Sequence, residues 1–139
     1  IGTYNWSDKK ETVTTGHPFT SRPYGMKFWY KYTPYQTDNF KVEIEIRSGN
    51  KVIAGGSYIS EAASSADSEY QEAYINLDYQ GNMEKATDIY VNILSTTKTS
   101  FGSDDLQKAG TIDLTDCATG WTTHLGSRLK IDDLELIYE

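Results

Sequence analysis

The clearest alternation of apolar and polar positions runs through Asp38–Arg47, DNFKVEIEIR, where Phe40, Val42, Ile44 and Ile46 alternate with Lys41, Glu43, Glu45 and Arg47. Successive side chains of a strand point to opposite faces, so this pattern predicts one core face and one solvated, charged face. Ser48-Gly49-Asn50 supplies a turn, and Lys51–Ile59 is expected to return as the hairpin partner. Gly55-Gly56 within that return marks a bulge or a close approach of backbones. Tyr24–Tyr35, YGMKFWYKYTPY, places Met26, Phe28, Tyr30 and Tyr32 on one face and Lys27, Trp29 and Lys31 on the other. Pro34 ends that strand because it has no N–H to donate to a ladder.

Tyr70–Tyr79 alternates through Tyr70, Glu72 and Tyr74 and then, after a shift, through Ile75, Leu77 and Tyr79. Ala86–Ser95, ATDIYVNILS, is nearly continuous in apolar character through Ile89, Val91 and Ile93, and is expected to be a central strand. In the closing stretch, Gly126–Glu139, Leu129 and Ile131 alternate with Arg128, Lys130 and Asp132. Past Asp133 the apolar positions are Leu134, Leu136 and Tyr138, one residue out of phase. One extra residue re-aims every later side chain, so a β-bulge is predicted at Asp132–Asp133.

Between these strands the pattern weakens. Ile1–His17 reads as an irregular or edge segment with a short strand at Glu11–Thr15; Phe19–Pro23 is turn-like, and Ser60–Ser68 is a small polar loop. Thr96–Leu125 is long and irregular, with a two-stranded excursion expected at Thr111–Leu114. A loop of that length in a compact domain is functional or an insertion. Roughly seven or eight strands at short spacing predict an all-β fold, an antiparallel β-sandwich of jelly-roll type, with residues 1–139 as a single domain.

Composition narrows the function classes. A net charge of −7 argues against nucleic acid, since phosphate binding needs clustered Lys and Arg. The chain has no apolar run of about 18 residues, so it is not expected to span a membrane as a helix. Ile1 opens into polar sequence without a leader, so a processed form or an excised part of a longer chain is expected. Cys117 is the single cysteine, which leaves neither an internal disulfide nor a CxxC metal site and suits a small buried hydrophobe. The 11 tyrosines, with 3 tryptophans and 4 phenylalanines, suit strands and also surfaces that stack on flat partners.

GHPFTSRPYGMKFWYKYTPY followed by Asp38, then the hairpin Val42–Ile59, DIYVNILST and GSRLKIDDLELIY, resembles the bacterial carbohydrate metabolism domain family. The resemblance covers about Gly16 to Tyr138 and is sharpest in PFTSRP with FWYKY and in GSRLKIDD; Phe101–Leu125 is longer than the family pattern. It implies a galactose-binding-like jelly roll, a carbohydrate-binding-type accessory module of a secreted or surface lipoprotein, and an extracellular or outer-surface setting.

Sugar rings present flat C–H faces that an aromatic side chain can cover while carboxylates, amides or Arg bind the hydroxyls. The candidate ligand-binding rings are Trp121 in the long loop, Trp29 on an outer strand face, Tyr35 at the turn, Tyr58 on the hairpin return and Trp6 in the N-terminal segment. Asp132 and Asp133 are the metal candidates, for a structural calcium completed by Asp8, Glu11 or Asp38, because calcium gathers several oxygen ligands. Arg22 is expected to pair with one of those acids. His17 and His124 are the only histidines, too few for a zinc site without other donors, and a Cys117–His124 nucleophile pair lacks an orienting third group at motif spacing. A glycosidase would need two facing carboxylates about 5–10 Å apart. Glu43 and Glu45 share a strand face roughly 6–7 Å apart, but charge alternation with Lys41 and Arg47 reads as an ordinary solvated sheet. The function expected is therefore non-catalytic glycan binding; the alternatives are an adhesin-type spacer with no ligand and a hydrolase using the sheet-face carboxylates.

Overall fold

The computed structural model describes residues 2–5, 10–13, 16–61, 69–99, 107–108 and 124–138, and these contain strands and no helix. The strands are β1 (Gly2–Asn5), β2 (Lys10–Val13), β3 (His17–Pro18), β4 (Gly25–Thr33), β5 (Lys41–Ser48), β6 (Lys51–Ile59), β7 (Gln71–Asn76), β8 (Asp88–Leu94), β9 (Gln107–Lys108), β10 (His124–Leu125) and β11 (Arg128–Ile137). Every pairing is antiparallel. Two main sheets result, a three-stranded one ordered β11-β4-β7 and a four-stranded one ordered β3-β8-β5-β6, beside the short pairs β1-β2 and β9-β10. The architecture is all-β and sandwich-like, in the class that the strand pattern predicts. Within the long loop, the described two-stranded pair joins Gln107–Lys108 to His124–Leu125, while the excursion expected at Thr111–Leu114 lies outside the described residues.

The inner rows of both sheets make one core. Met26, Phe28, Tyr30 and Tyr32 of β4 meet Val42, Ile44 and Ile46 of β5 with Phe40, all almost wholly buried. Aromatic edges lock the layers: Tyr30 meets Phe40 at 4.7 Å and Tyr32 meets Phe40 at 5.0 Å, both edge-on. The buried phenols keep partners. Tyr30 Oη donates to Gln71 Oε1 at 2.9 Å, and Tyr32 Oη donates to the Ser95 carbonyl at 3.0 Å.

Three strands differ from the sequence expectation. On β6 the register shifts opposite Ile46–Arg47, which makes Ile53 an extra residue and turns Ala54, Gly56 and Tyr58 inward. Gly56 then faces β7, where a Cβ would lie 2.5 Å from Ile75 Cγ2 and 2.7 Å from the Asn76 carbonyl oxygen. The Gly-Gly pair thus serves the close approach of two backbones, and the bulge sits beside it. On β7 there is no phase shift: Ala73 and Ile75, then Leu77, are buried in one continuous row while Glu72 and Tyr74 point out. β8 is interior to its sheet, between β3 and β5, as expected, but it is not buried along its length as a near-continuous apolar run implies. Among the described residues it pairs with β5 along its length but with β3 only at Asp88 and Ile89. Its core-side Val91 and Ile93 accordingly stay 38% and 45% exposed.

Candidate functional site

The predicted bulge on β11 is present, and it shapes an open depression. Asp132 pairs with Trp29 and Glu135 with Lys27, so Asp133 and Leu134 together oppose the single residue Phe28. Asp133 adopts φ 48°, the left-handed region normally left to glycine, and its N–H donates to Asp132 Oδ1 at 2.9 Å. Leu136 returns to the core row beside Ile131 and Leu129, whereas Leu134 is turned out and 43% exposed. The displaced loop of strand walls an open depression of about 330 Å³, lined by Lys27, Trp29, Asp133, Leu134 and Glu135. Strain of this kind recurs at binding sites, where surrounding structure must hold it.

The depression lies on the outer face of the β11-β4-β7 sheet, where Trp29 stands on the middle strand. Cross-strand pairing sets Glu72 on one side of the half-buried indole and Asp132 on the other. Along β4, Lys27 and Lys31 flank it in the same face. Lys27 Nζ lies 3.3 Å from Glu135 and 3.8 Å from Glu72, spanning all three strands. Lys31 Nζ sits 4.7 Å from the centroid of the Tyr70 ring, and Tyr74 lies across Gly25, whose absent Cβ leaves room for the phenol. Tyr70 and Tyr74 are 39% and 49% exposed. An indole, an exposed leucine, carboxylates and an ammonium on one rigid face can cover an apolar ring face and bond its hydroxyls.

Of the other candidate rings, Tyr35 is half-buried, and its N–H donates to Ser127 Oγ at 3.0 Å. Tyr58 is corrected from surface ring to core component: it stands edge-on to Phe28 at 5.9 Å, and its hydroxyl lies 3.1 Å from that of Tyr30. The bulge at Ile53 moved it inward. Trp121 and Trp6 lie outside the described residues, as do Asp8 and Cys117.

Of the acids proposed to complete a calcium site, Asp38 is engaged elsewhere, while Asp8 and the Glu11 side chain lie outside what the structure describes. Asp38 is buried, and its oxygens accept from Thr96 Oγ1 at 2.9 Å, Ser127 Oγ at 2.6 Å and the Asn39 N–H at 2.8 Å. It ties three chain segments together near Arg128, whereas Asp132 stands roughly 13 Å further along β11 by strand rise. Among the described residues no three His, Cys, Asp or Glu side chains gather closely enough to hold a metal ion. Arg22 does not pair with an acid as expected. Its guanidinium donates to the carbonyls of Asn82 and Glu84 and lies 4.1 Å over the Tyr79 ring. That clamps a tight turn in which Gln80 and Gly81 have φ 48° and 74°. A second depression of about 380 Å³ lies between this turn and the start of β6.

On the four-stranded sheet Glu43 and Glu45 do share the outer face, each ion-paired along its own strand, to Lys41 and Arg47 respectively. The bond from Lys41, with a further one from Asn92 Nδ2 at 3.3 Å, holds the Glu43 carboxyl below its usual range. A glycosidase acid needs the opposite shift. His17 is exposed on β3; no helix among the described residues is long and apolar enough to cross a membrane. No protein-family model, curated protein or solved structure matches the chain.

Proposed function

We propose that the chain is a carbohydrate-binding module of jelly-roll, galactose-binding-like type, belonging to a longer exported bacterial protein, and that Trp29 is its principal sugar-stacking residue. The single observation that carries the reading is the meeting of Trp29 with the β11 bulge: the Trp29 indole, the exposed Leu134 and the carboxyl-bearing Asp133 and Glu135 line one depression. A stacked sugar ring buries apolar C–H area there while its hydroxyls find charged partners, and rigid strands reduce the entropy lost on binding. The resemblance to the carbohydrate metabolism domain agrees with this reading and with a surface setting.

The spacer alternative has its own support, because Tyr74 covers Gly25 and Tyr70 carries the Lys31 ammonium, so two of the three rings on the face also serve the sheet. Affinity electrophoresis in gels containing neutral or charged polysaccharide decides between them. Retardation lost in Trp29→Ala but kept in Trp121→Ala supports the sheet-face module. Loss in Trp121→Ala alone moves the site to the long loop, and no retardation on a broad glycan array favours the spacer.

A further inference from the structure

The outer face of the three-stranded sheet carries a second ring that lies across it. Tyr74 of β7 stands opposite Lys27 of β4, and its phenol runs diagonally over the sheet to Gly25. A Cβ on Gly25 would lie 2.2 Å from the Tyr74 hydroxyl oxygen and 2.4 Å from Cζ, so the end of the ring covers the glycine backbone. Tyr74 nonetheless stays 49% exposed, which leaves the outer side of the ring open to solvent. Gly25 and Trp29 are four residues apart on β4, so the two stacking positions are about 13 Å apart by strand rise. Lys27 occupies the interval, held between Glu72 and Glu135. Along the strand the surface therefore runs aromatic, polar, aromatic. Its charge is matched: Glu72 and Asp132 stand on either side of Trp29, and Lys31, Lys130 and Arg128 each has an interaction of its own.

We infer that this face binds an internal stretch of a neutral polysaccharide, with one sugar ring on Trp29, another on Tyr74 and the hydroxyls of the units between them on Lys27 and its acids. The inference rests on the carbohydrate reading above and adds to it the length and the charge of the ligand. A single sugar cannot reach both rings, whereas a chain of several units can. The depression at Trp29 is open, so the chain can continue beyond it. Hydroxyl groups both donate and accept, so they bond a paired ammonium or carboxylate without adding charge. An ionised sugar would meet acids as well as cations on this face, and like charges brought together oppose binding.

Calorimetry with galactomannan, arabinoxylan and pullulan, and with the disaccharide and hexasaccharide of each backbone, tests this, with polygalacturonate as the charged comparison. The wild-type protein should bind at least one neutral polymer, and its hexasaccharide about tenfold more tightly than its disaccharide, because only the longer chain reaches the second ring. Tyr74→Ala should remove that gain and leave the disaccharide affinity as it was, whereas Tyr74→Phe, which keeps a stacking ring, should retain it. Gly25→Ala pushes the Tyr74 ring aside without deleting it and should also remove the gain. Equal affinity for the two lengths, or a gain that persists in Tyr74→Ala or, should that variant not fold, in Gly25→Ala, overturns the inference while leaving the platform intact if Trp29→Ala still abolishes binding. Tighter binding of polygalacturonate than of every neutral polymer overturns it equally. No binding to any polymer, or binding that survives Trp29→Ala, overturns the platform and the inference together.

Discussion

Replacing Gly56 and Gly25 by alanine makes two clashes that look alike by distance and should differ in cost. At Gly56 a Cβ would lie 2.5 Å from Ile75 Cγ2 and 2.7 Å from the Asn76 carbonyl oxygen. Comfortable carbon contacts lie near 3.5–4.0 Å, so both neighbours must retreat by about 1 Å. Ile75 is 2% exposed and the carbonyl belongs to the backbone of β7, so neither can move without separating the two sheets. Overpacking of this kind costs about 3 kcal/mol, while the stiffer unfolded chain returns about 0.4–1 kcal/mol. The net loss of about 2 kcal/mol corresponds to a fall in Tm of about 8 °C for a chain of this size. At Gly25 the nominal clash is worse, 2.2 Å to Tyr74 Oη, but that is the tip of a side chain 49% exposed on the outer face. The ring can swing away, and the lost contact is about as large as the entropic gain, leaving Tm within about 3 °C. Thermal melts of the two variants give the comparison directly. A Gly25→Ala protein melting as low as Gly56→Ala, or a Gly56→Ala protein melting like wild type, refutes the reasoning that the mobility of the clashing atom sets the cost.

Tyr58→Phe should lower stability by about 1 kcal/mol through loss of the hydroxyl contact with Tyr30, and should leave the proposed glycan binding unchanged, as read by urea denaturation and affinity electrophoresis. Asp133→Val should cost about 1–2 kcal/mol because a β-branched residue resists φ 48°, whereas Asp133→Gly should melt at or near the wild-type temperature. Burial, helped by the nearby Asp38 carboxylate, raises the Tyr32 phenol above its ordinary value of 10.0. The neutral phenol therefore contributes stability that is fully present below pH about 10 and is lost as pH rises through the folded-state value. Denaturation midpoints should hold from neutral pH to about pH 9 and then fall, less steeply in Tyr32→Phe. If Asp132 and Asp133 hold a structural calcium, adding a chelator will lower the melting midpoint; an unchanged midpoint dismisses the ion.

The regular strands were legible because local alternation and burial coincide. Phe40 through Ile46 and Met26 through Tyr32 face inward as read, and the phase slip at Asp132–Asp133 is the bulge itself. The positions where the structure departs from the local pattern all depend on non-local facts. Ala73 is buried but too small to register in an apolar pattern, so the exposed Tyr70–Glu72–Tyr74 row looked like the core row. Alternation alone puts Tyr58 on the outer face, because the bulge at Ile53 is visible only against β5. The sequence suggests Arg22 as the partner of an acid and Asp38 as a calcium ligand, yet backbone carbonyls satisfy the first and hydroxyls the second, brought in from other segments by the fold. For the site, the outward Trp29 and the bulge were each visible in the sequence. Their meeting was not, because it requires β11 to pair with β4 across about a hundred residues.

The most direct measurement follows the tryptophan indole N–H resonances by NMR during titration with a polysaccharide that the protein retains, with the Trp29 signal assigned from Trp29→Phe. The sheet-face site predicts that the Trp29 indole shifts progressively and to saturation, along with backbone amides of Asp133 and Leu134. A saturable shift confined to Trp6 or Trp121, with Trp29 and the β11 bulge unmoved, would contradict it.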